Sequence, residues 1–417
     1  MKAILGCYRT TPTAAMEIET GLQPAWIRLQ TKVLQATTRM QSLPSKHPIH
    51  EWLTNALRTR TACISHRSNF ENTLQQFPYT CEKIETIETH IRPPWWTPTA
   101  KIKIETTKDN AKDLHNETQI HADETIVTIY TDGSGIDGKM GAAAYNLGTN
   151  EASHQHLGNE AQFNVYTAEL SALHLAVKQL RNHSESQIGR IYTDSQAGIK
   201  AIDHPRRQSG QTIIKDVLDS VEEIANENTN LQIEIIWIPG HAEIEGNERA
   251  DMEAKKAATD PTLSRPHNYK PLKSARVRHI KALAKKQWHT TWSGNTKSAT
   301  ALRHIMRGQK TNSGPKLYNA ITNRNEAAKI AQLRTGHCGL NRYLNRFGIK
   351  NSPYCQCGYG KETVEHYLLE CRNYREERKR LRKEVGGGNM RLERLLGDIK
   401  LIKYTLEYIT ATDRMES

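Results

Sequence analysis

Ile126-Val127-Thr128-Ile129-Tyr130-Thr131-Asp132-Gly133-Ser134 is the stretch on which the reading of this chain turns. The β-branched and aromatic run Ile126 to Tyr130 reads as a strand, with a carboxylate, Asp132, at its end. A second short run, Ile191 to Thr193, ends the same way in Asp194-Ser195. Two further acids fall in patterns that read as helical: Glu169 in Tyr166-Thr167-Ala168-Glu169-Leu170, and Asp251 in Gly246-Asn247-Glu248-Arg249-Ala250-Asp251. Carboxylates gathered from separate elements repel one another unless cations lie between them. Such a cluster holds a core together poorly and holds oxygen-seeking divalent ions well.

Outward from this stretch, the apolar runs Ile126–Tyr130, Gly141–Leu147 and a weaker one at His154–Leu157 are separated by Gly-rich turns, predicting three consecutive antiparallel strands. A helix is predicted from about Val165 to Arg181, with Leu170, Leu173, Ala176, Val177 and Leu180 on one face. A strand at Arg190–Thr193, a short helix ending before Pro205, a helix around Thr212–Ile224, a strand at Leu231–Ile238 and a final helix at Asn247–Ala258 complete the order. The order βββαβααβα predicts an α/β fold, a mixed five-stranded sheet flanked by helices.

Length and composition bound the remainder. At 417 residues the chain is expected to hold two or three domains. Hydrophobic content of 37% and mean hydropathy of −0.70 predict modest cores and much polar surface. No run approaches the roughly 20 apolar residues of a membrane span, and the start lacks the apolar stretch of a signal peptide; a soluble, intracellular protein without a membrane partner is expected. The formal charge of +13 is unevenly spread: residues 123–259 carry a net −10 and residues 261–417 a net +20. The carboxylate-bearing region therefore cannot grip a polyanion by charge, and that work falls to the C-terminal part.

Residues 1–92 carry amphipathic patterns that favour helices, and Pro93-Pro94 ends them. Residues 93–122 read as a linker, polar from 97 on, 123–260 as the carboxylate domain, and 261–350 as a basic helical region. Residues 351–375 form a Cys/His segment and 376–417 a basic tail interrupted by Gly386-Gly387-Gly388.

Seven cysteines in a chain of this length do not make a disulfide scaffold. Cys355, Cys357, His366 and Cys371 instead supply three thiolates and one imidazole, a tetrahedral set for structural Zn²⁺, with the first pair on a tight turn and the second across a helical span. His337-Cys338 is a more distant rival pair. Arg372, Arg375, Arg378, Lys379, Arg380, Arg382 and Lys383 follow, a run suited to phosphate.

Thr131-Asp132-Gly133-Ser134, Ala168-Glu169-Leu170, Thr193-Asp194-Ser195-Gln196, and Trp237-Ile238-Pro239-Gly240-His241 followed by Asn247 to Asp251 resemble, in this order, the motifs of the type 1 ribonuclease H domain. The resemblance implies hydrolysis of the RNA strand of RNA–DNA hybrids with two Mg²⁺ (or Mn²⁺) ions. It implies Asp132, Glu169, Asp194 and Asp251 as ligands, Asp132 bridging both ions, and His241 as proton shuttle. Substrate contacts would come from Gly133, Ser134, Gln196 and Asn247. One departure stands out: Glu243 occupies a position where relatives commonly have Gly, awkward if φ is positive there. The whole chain resembles the C-terminal end of a non-LTR, LINE-like retrotransposon reverse transcriptase polyprotein, on Tyr8 to Ala15 with Glu17 to Leu22, on the ribonuclease-like region, and on Leu333 to His337 with the Cys/His segment. No Asp-Asp pair occurs, so the polymerase metal turn of that family is absent and a truncated copy without polymerase activity is expected. A catalytically idle, nucleic-acid-binding remnant is the alternative.

Overall fold

The computed structural model describes residues 1–58, 72, 83–120, 125–183, 185–263, 268–294, 298–307 and 313–415. The expected helices of residues 1–92 fall partly outside these residues, as do positions 123 and 124. The chain divides into two units, residues 30–282 and residues 1–29 together with 283–417.

In the first unit the sheet runs β1(Lys101–Lys103), β2(Ile126–Ile136), β3(Lys139–Asn146), β4(Glu151–Asn159), β5(Ile188–Thr193) and β6(Gln232–Trp237), in the spatial order β1-β6-β5-β2-β3-β4. β2, β3 and β4 are antiparallel neighbours, whereas β2–β5, β5–β6 and β1–β6 pair in parallel. Helices α1(Lys108–Ile120), α2(Val165–Leu180), α3(Gln196–Asp203), α4(Gln211–Glu227) and α5(Glu245–Thr259) flank it. The predicted order βββαβααβα is observed, but the expected five-stranded sheet has six strands among the described residues. The stretch expected to be a polar linker supplies both β1 and α1. Lys101-Ile102-Lys103 is too short and too polar to read as a strand, and it exists because the edge of β6 offers it a ladder.

One face of the sheet packs Ile129, Ile191 and Ile235 against Leu170, Leu173, Ala176, Val177 and Leu180 of α2, as predicted, and against Ile213, Val217 and Val221 of α4. The other face gathers Tyr130, Tyr192, Ile236, Ile238 and Ala250, with Leu114 of α1 packed against them. α1 covers this face by hydrogen bonding as much as by apolar contact. His115 Nε2 lies 2.8 Å from the Tyr130 hydroxyl and Thr118 Oγ1 lies 2.7 Å from that of Tyr192. Polar pairing of this kind leaves little hydrophobic periodicity in the sequence.

In the second unit, Ala15, Ile18 and Ile27 pack with Ala284, Trp288, Leu302 and Met306. A larger core joins α6(Arg324–Thr335), through Ile330 and Leu333, to α8(Arg375–Val385) and α9(Ile402–Thr412). α7(Asn341–Asn345) lies between α6 and α8 in sequence. Leu381, Val385, Ile402, Tyr408 and Ile409 are buried in this core, so the expected basic tail is a packed part of the fold. Arg334 Nε donates to buried Glu19, at 2.9 Å from Oε1, and its Nη1 donates to the Leu396 carbonyl. No described helix is long and apolar enough to cross a membrane.

Candidate functional site

The register places the first two acids. Thr131 pairs with Thr193 across the parallel β2–β5 ladder, so the next residues, Asp132 and Asp194, stand side by side. Glu169 arrives from α2, whose start is fixed by a capping box in which Asn164 Oδ1 accepts from Thr167 N–H. Asp132, Glu169 and Asp194 each offer a carboxylate oxygen, and these atoms all lie within 4.8 Å of one another.

The approach of α2 to β2 depends on Gly133. A Cβ there would fall 2.3 Å from Glu169 N and 2.6 Å from the Ala168 carbonyl carbon, distances no side chain tolerates. The Gly133 N–H also favours the charged forms of Asp132 and Glu169. Gly240 plays the same part on the other side, since a Cβ there would meet Asp194 Oδ2 at 2.6 Å.

Burial and mutual repulsion hold these acids toward their neutral forms. Burial first, then Asp194 and Asp251, push Asp132 up to about 7. Burial, Asp132 and Asp194 raise Glu169 well above the usual carboxylate range. Burial also raises Asp194, with the His241 imidazole pulling the other way. Glu169 Oε2 is buried without a hydrogen-bond partner. An orphaned carboxylate oxygen among like charges is a donor set that fits a divalent cation.

Asp251 is near enough to be felt by all three acids but does not join the cluster. One turn along α5, Lys255 Nζ donates to its Oδ2. The expected four-carboxylate set is thus three gathered acids and a fourth engaged by a lysine. Lys255 was not singled out from the sequence, although its i,i+4 spacing from Asp251 was the available signal. His241 is exposed on the loop before α5, with φ of 55°, and Glu243 on the same loop has φ of 59°. Glu243 therefore does occupy a left-handed position. Ser134 is half-buried beside Gly133, and Gln196 is half-buried at the start of α3. Asn247 is buried on α5, its Oδ1 unpartnered.

The second unit carries the thiol cluster. Cys355, Cys357, His366 and Cys371 form one group of potential ligands whose atoms lie within 4.8 Å of one another. Cys355 Sγ lies 3.6 Å from Cys371 Sγ, and Cys357 Sγ lies 3.3 Å from His366 Nε2. Cys355 N–H donates to the Gly360 carbonyl at 2.8 Å, and Gly358 turns the chain with φ of 77°. His366 opens a wide π-type turn over His366–Glu370, and its Nδ1 lies 3.5 Å from Glu370 Oε2, on the side of the ring away from Cys357. Partial burial pushes the Cys357 thiol up, but the Tyr359 N–H and other donors bring it down to about 6. Burial pushes Cys355 up to about 12, the state of a thiol crowded by other sulfurs.

His337-Cys338, the rival pair, is not part of this group: Cys338 is buried in the apolar core. The basic run is not uniformly free for phosphate either. Arg378 donates to the Leu368 and Cys371 carbonyls, Lys379 pairs with Glu376 at 2.8 Å, and Arg372 stacks on Tyr359. Arg375, Arg380, Arg382 and Lys383 are exposed.

Residues 124–259 match the family model described as RNase H. A 49-residue stretch is 43% identical to the retrovirus-related Pol polyprotein from type-1 retrotransposable element R1 of Bradysia coprophila, covering 12% of this chain and 5% of that protein's length. Among solved structures, RNase H1 from the halophilic archaeon Halobacterium salinarum NRC-1 is 19% identical, covering 32% of this chain and 98% of that one, with a TM-score of 0.24. LC11-RNase H1, isolated from compost, is 21% identical, covering 34% of this chain and 99% of that one, with a TM-score of 0.26.

Proposed function

From the ribonuclease H domain that residues 124–259 form, we infer that the chain is an endoribonuclease that hydrolyses the RNA strand of RNA–DNA hybrids. The observation that carries this reading is the convergence of Asp132 from within β2, Asp194 from just past the end of β5 and Glu169 from α2, with one buried carboxylate oxygen left without a partner.

Two divalent ions of the Mg²⁺ or Mn²⁺ kind, bound by these acids, would supply the charge that activates water and stabilises the leaving oxygen. Asp132, Glu169 and Asp194 would hold them, with Asp132 as the acid shared by both. Asp251 would join them once released from Lys255. His241, exposed beside Asp194, accepts or returns a proton at its imidazole. Ser134 and the backbone of Gly133 follow Asp132 on β2, Gln196 starts α3 two residues after Asp194, and Asn247 precedes Asp251 on α5; these are assigned to the substrate strand, where the 2′-hydroxyl separates RNA from DNA. In the second unit, Cys355, Cys357, His366 and Cys371 would hold a Zn²⁺ ion with four protein ligands, which would make that metal structural.

Residues 123–260 are taken as the catalytic domain, between an N-terminal segment (1–92) with its connection (93–122) and the basic regions 261–350, 351–375 and 376–417. The net charge of +20 over residues 261–417 supports nucleic-acid binding outside the acidic domain. The retrotransposon polyprotein setting gives such an enzyme its substrate, the hybrid left by first-strand synthesis.

The test is cleavage of a labelled RNA–DNA hybrid by the purified chain with Mg²⁺ and with EDTA, beside single-stranded RNA and duplex DNA. Metal-dependent cutting confined to the RNA of the hybrid is expected. A folded protein that binds the hybrid without cutting it would make the idle remnant the correct reading, and the Lys255–Asp251 pair is the feature that favours that alternative.

A further inference from the structure

A second site of a different kind lies in the unit formed by residues 1–29 and 283–417, beside the segment that carries the thiol cluster and made of other side chains. Its centre is Tyr343 on α7. Tyr8 stacks on Tyr343 with ring centroids 5.6 Å apart and an interplanar angle of 16°. His337 and Phe347 meet the same ring at 5.0 and 5.2 Å. Tyr343 is locked further by Thr10, whose hydroxyl bonds to its phenolic oxygen. The result is a ladder of rings built from three separate segments of the chain, with half-exposed ends at Tyr8 (36% exposed) and Phe347 (46%).

Beside it opens a cavity of about 520 Å³, lined among others by His337, Arg342, Tyr343, Arg346 and Glu362. That volume falls in the range of small-ligand sites. Its charge balance is decided by one pair: Arg414 donates to Glu362 at 2.6 and 2.9 Å, which neutralises the carboxylate. Arg342 and Arg346 are exposed, and neither has an ion pair among the described residues, although the Arg346 guanidinium lies 5.9 Å from the centroid of the Phe347 ring. The exposed Glu365 at the rim is the remaining acid. Burial and Arg346 lower the His337 imidazole, so it presents a neutral, flat ring near pH 7.

An aromatic ladder that merely closed a core would be covered at its ends and would not carry two guanidinium groups without carboxylate partners one helical turn apart. Exposed rings beside a cavity, with cations that no carboxylate neutralises, are what an unpaired nucleotide requires, stacking for the base and charge for the phosphate. A duplex keeps its bases stacked inside and offers such rings nothing to stack on. We propose that the Tyr8–Tyr343–Phe347 ladder and the adjoining Arg342/Arg346 cavity form a binding site for single-stranded nucleic acid. The site deepens the reading that the basic unit holds nucleic acid, and it assigns the grip to unpaired nucleotides.

The experiment uses the full chain in EDTA, where cleavage is off, and a fluorescent 12-nucleotide oligo(U), read by anisotropy against salt. Phe347→Ala removes an exposed ring and is expected to weaken binding roughly tenfold, the scale of losing one stacked base. Arg342→Gln with Arg346→Gln should flatten the salt slope of binding by about 1.4, the value for two phosphate contacts on a single strand. Circular dichroism verifies that the variants fold, and Arg342→Lys with Arg346→Lys, which retains the charge, should retain the slope. Unlabelled duplex RNA should compete poorly. Wild-type and Phe347→Ala chains with equal affinity would overturn the proposal, as would a salt slope that falls only when Arg375, Arg380 and Arg382 are changed. Hybrid cleavage in Mg²⁺, measured on the same variants, separates this outcome from failure of the ribonuclease reading, because Asp132→Asn should lower cleavage roughly 10²- to 10³-fold and leave oligo(U) binding intact.

Discussion

Gly133 and Glu169 meet backbone to backbone, so closely that a methyl group on Gly133 would fall 2.3 Å from the Glu169 nitrogen. That single approach sets how far Glu169 reaches toward Asp132 and Asp194. Gly133→Ala must push α2 away from β2. We expect it to cost about 1–3 kcal/mol of stability, the usual range for an overpacked contact, and to abolish metal-dependent cleavage. Thermal denaturation and hybrid cleavage on one preparation check this. A stable Gly133→Ala protein with full activity would refute the role given to the contact.

The raised acids make a pH prediction with a definite sign. Asp132, raised from 3.8 to about 7, binds its proton more tightly in the folded chain than in the unfolded one. That contribution to stability is complete below pH 3.8 and disappears as pH rises through about 7. The metal-free chain should therefore lose melting temperature between pH 5 and pH 8, and Mg²⁺ or Mn²⁺ should restore it at the upper end. Asp132→Asn should flatten the metal-free profile and lower cleavage by roughly 10²- to 10³-fold, the scale of losing one electrostatic contact at a reacting centre. A metal-free profile unchanged by Asp132→Asn would show that the cluster is not under electrostatic strain.

Glu243 sits at φ 59°, in the left-handed region. A side chain there costs about 1–2 kcal/mol, while glycine gives back about 0.4–1 kcal/mol through the unfolded chain. Glu243→Gly should thus stabilise the protein by roughly 0.5–1 kcal/mol, seen as a higher denaturation midpoint, with cleavage equal or faster. A loss of stability would mean that the Glu243 side chain makes a compensating contact.

Zinc content tests the thiol cluster directly. The chain should carry one Zn²⁺ per molecule by colorimetric release, and Cys357→Ser or His366→Ala should lose it. Ligand loss should lower the melting of the 283–417 region while leaving the secondary structure of residues 30–282 in place, because the ligands and their supporting bonds all lie in the second unit.

Arg334 and Glu19 are both almost wholly buried. Arg334→Met strands a buried carboxylate and should cost about 3–5 kcal/mol, whereas the double change with Glu19→Met should recover part of that loss. Additive losses in the two single variants and the double would argue against a coupled pair.

Much of the fold was legible because apolar periodicity is strong where a sheet is buried on both sides. Ile126 to Tyr130, Ile191 to Thr193 and the face of α2 announce themselves; Asp194 follows the end of its strand as expected, whereas Asp132 lies within β2, because the polar and glycine residues after it still pair with β3 as far as Ile136. β1 and α1 were not legible, since Lys101-Ile102-Lys103 lacks a run and α1 is held by His115 and Thr118 rather than by an apolar stripe. The gathering of Cys355, Cys357, His366 and Cys371 followed from spacing alone. The Lys255–Asp251 pair and the Tyr343 ladder were hidden for opposite reasons. The first is a common helix-surface pattern that is easily passed over, and the second joins Tyr8 to residues more than three hundred positions away.

The short edge strand β1 bears on how this protein can be handled. The parallel edge of β6, carrying Ile233 and Ile235, is closed by three residues, two of them lysines, which give the next chain nothing to pair with. A fragment trimmed to the 124–259 match would lose that closure together with α1, baring a β6 ladder and the Tyr130–Tyr192 face at once. Such a fragment should self-associate through its open edge, and the smallest soluble form of the sheet domain should begin ahead of residue 101.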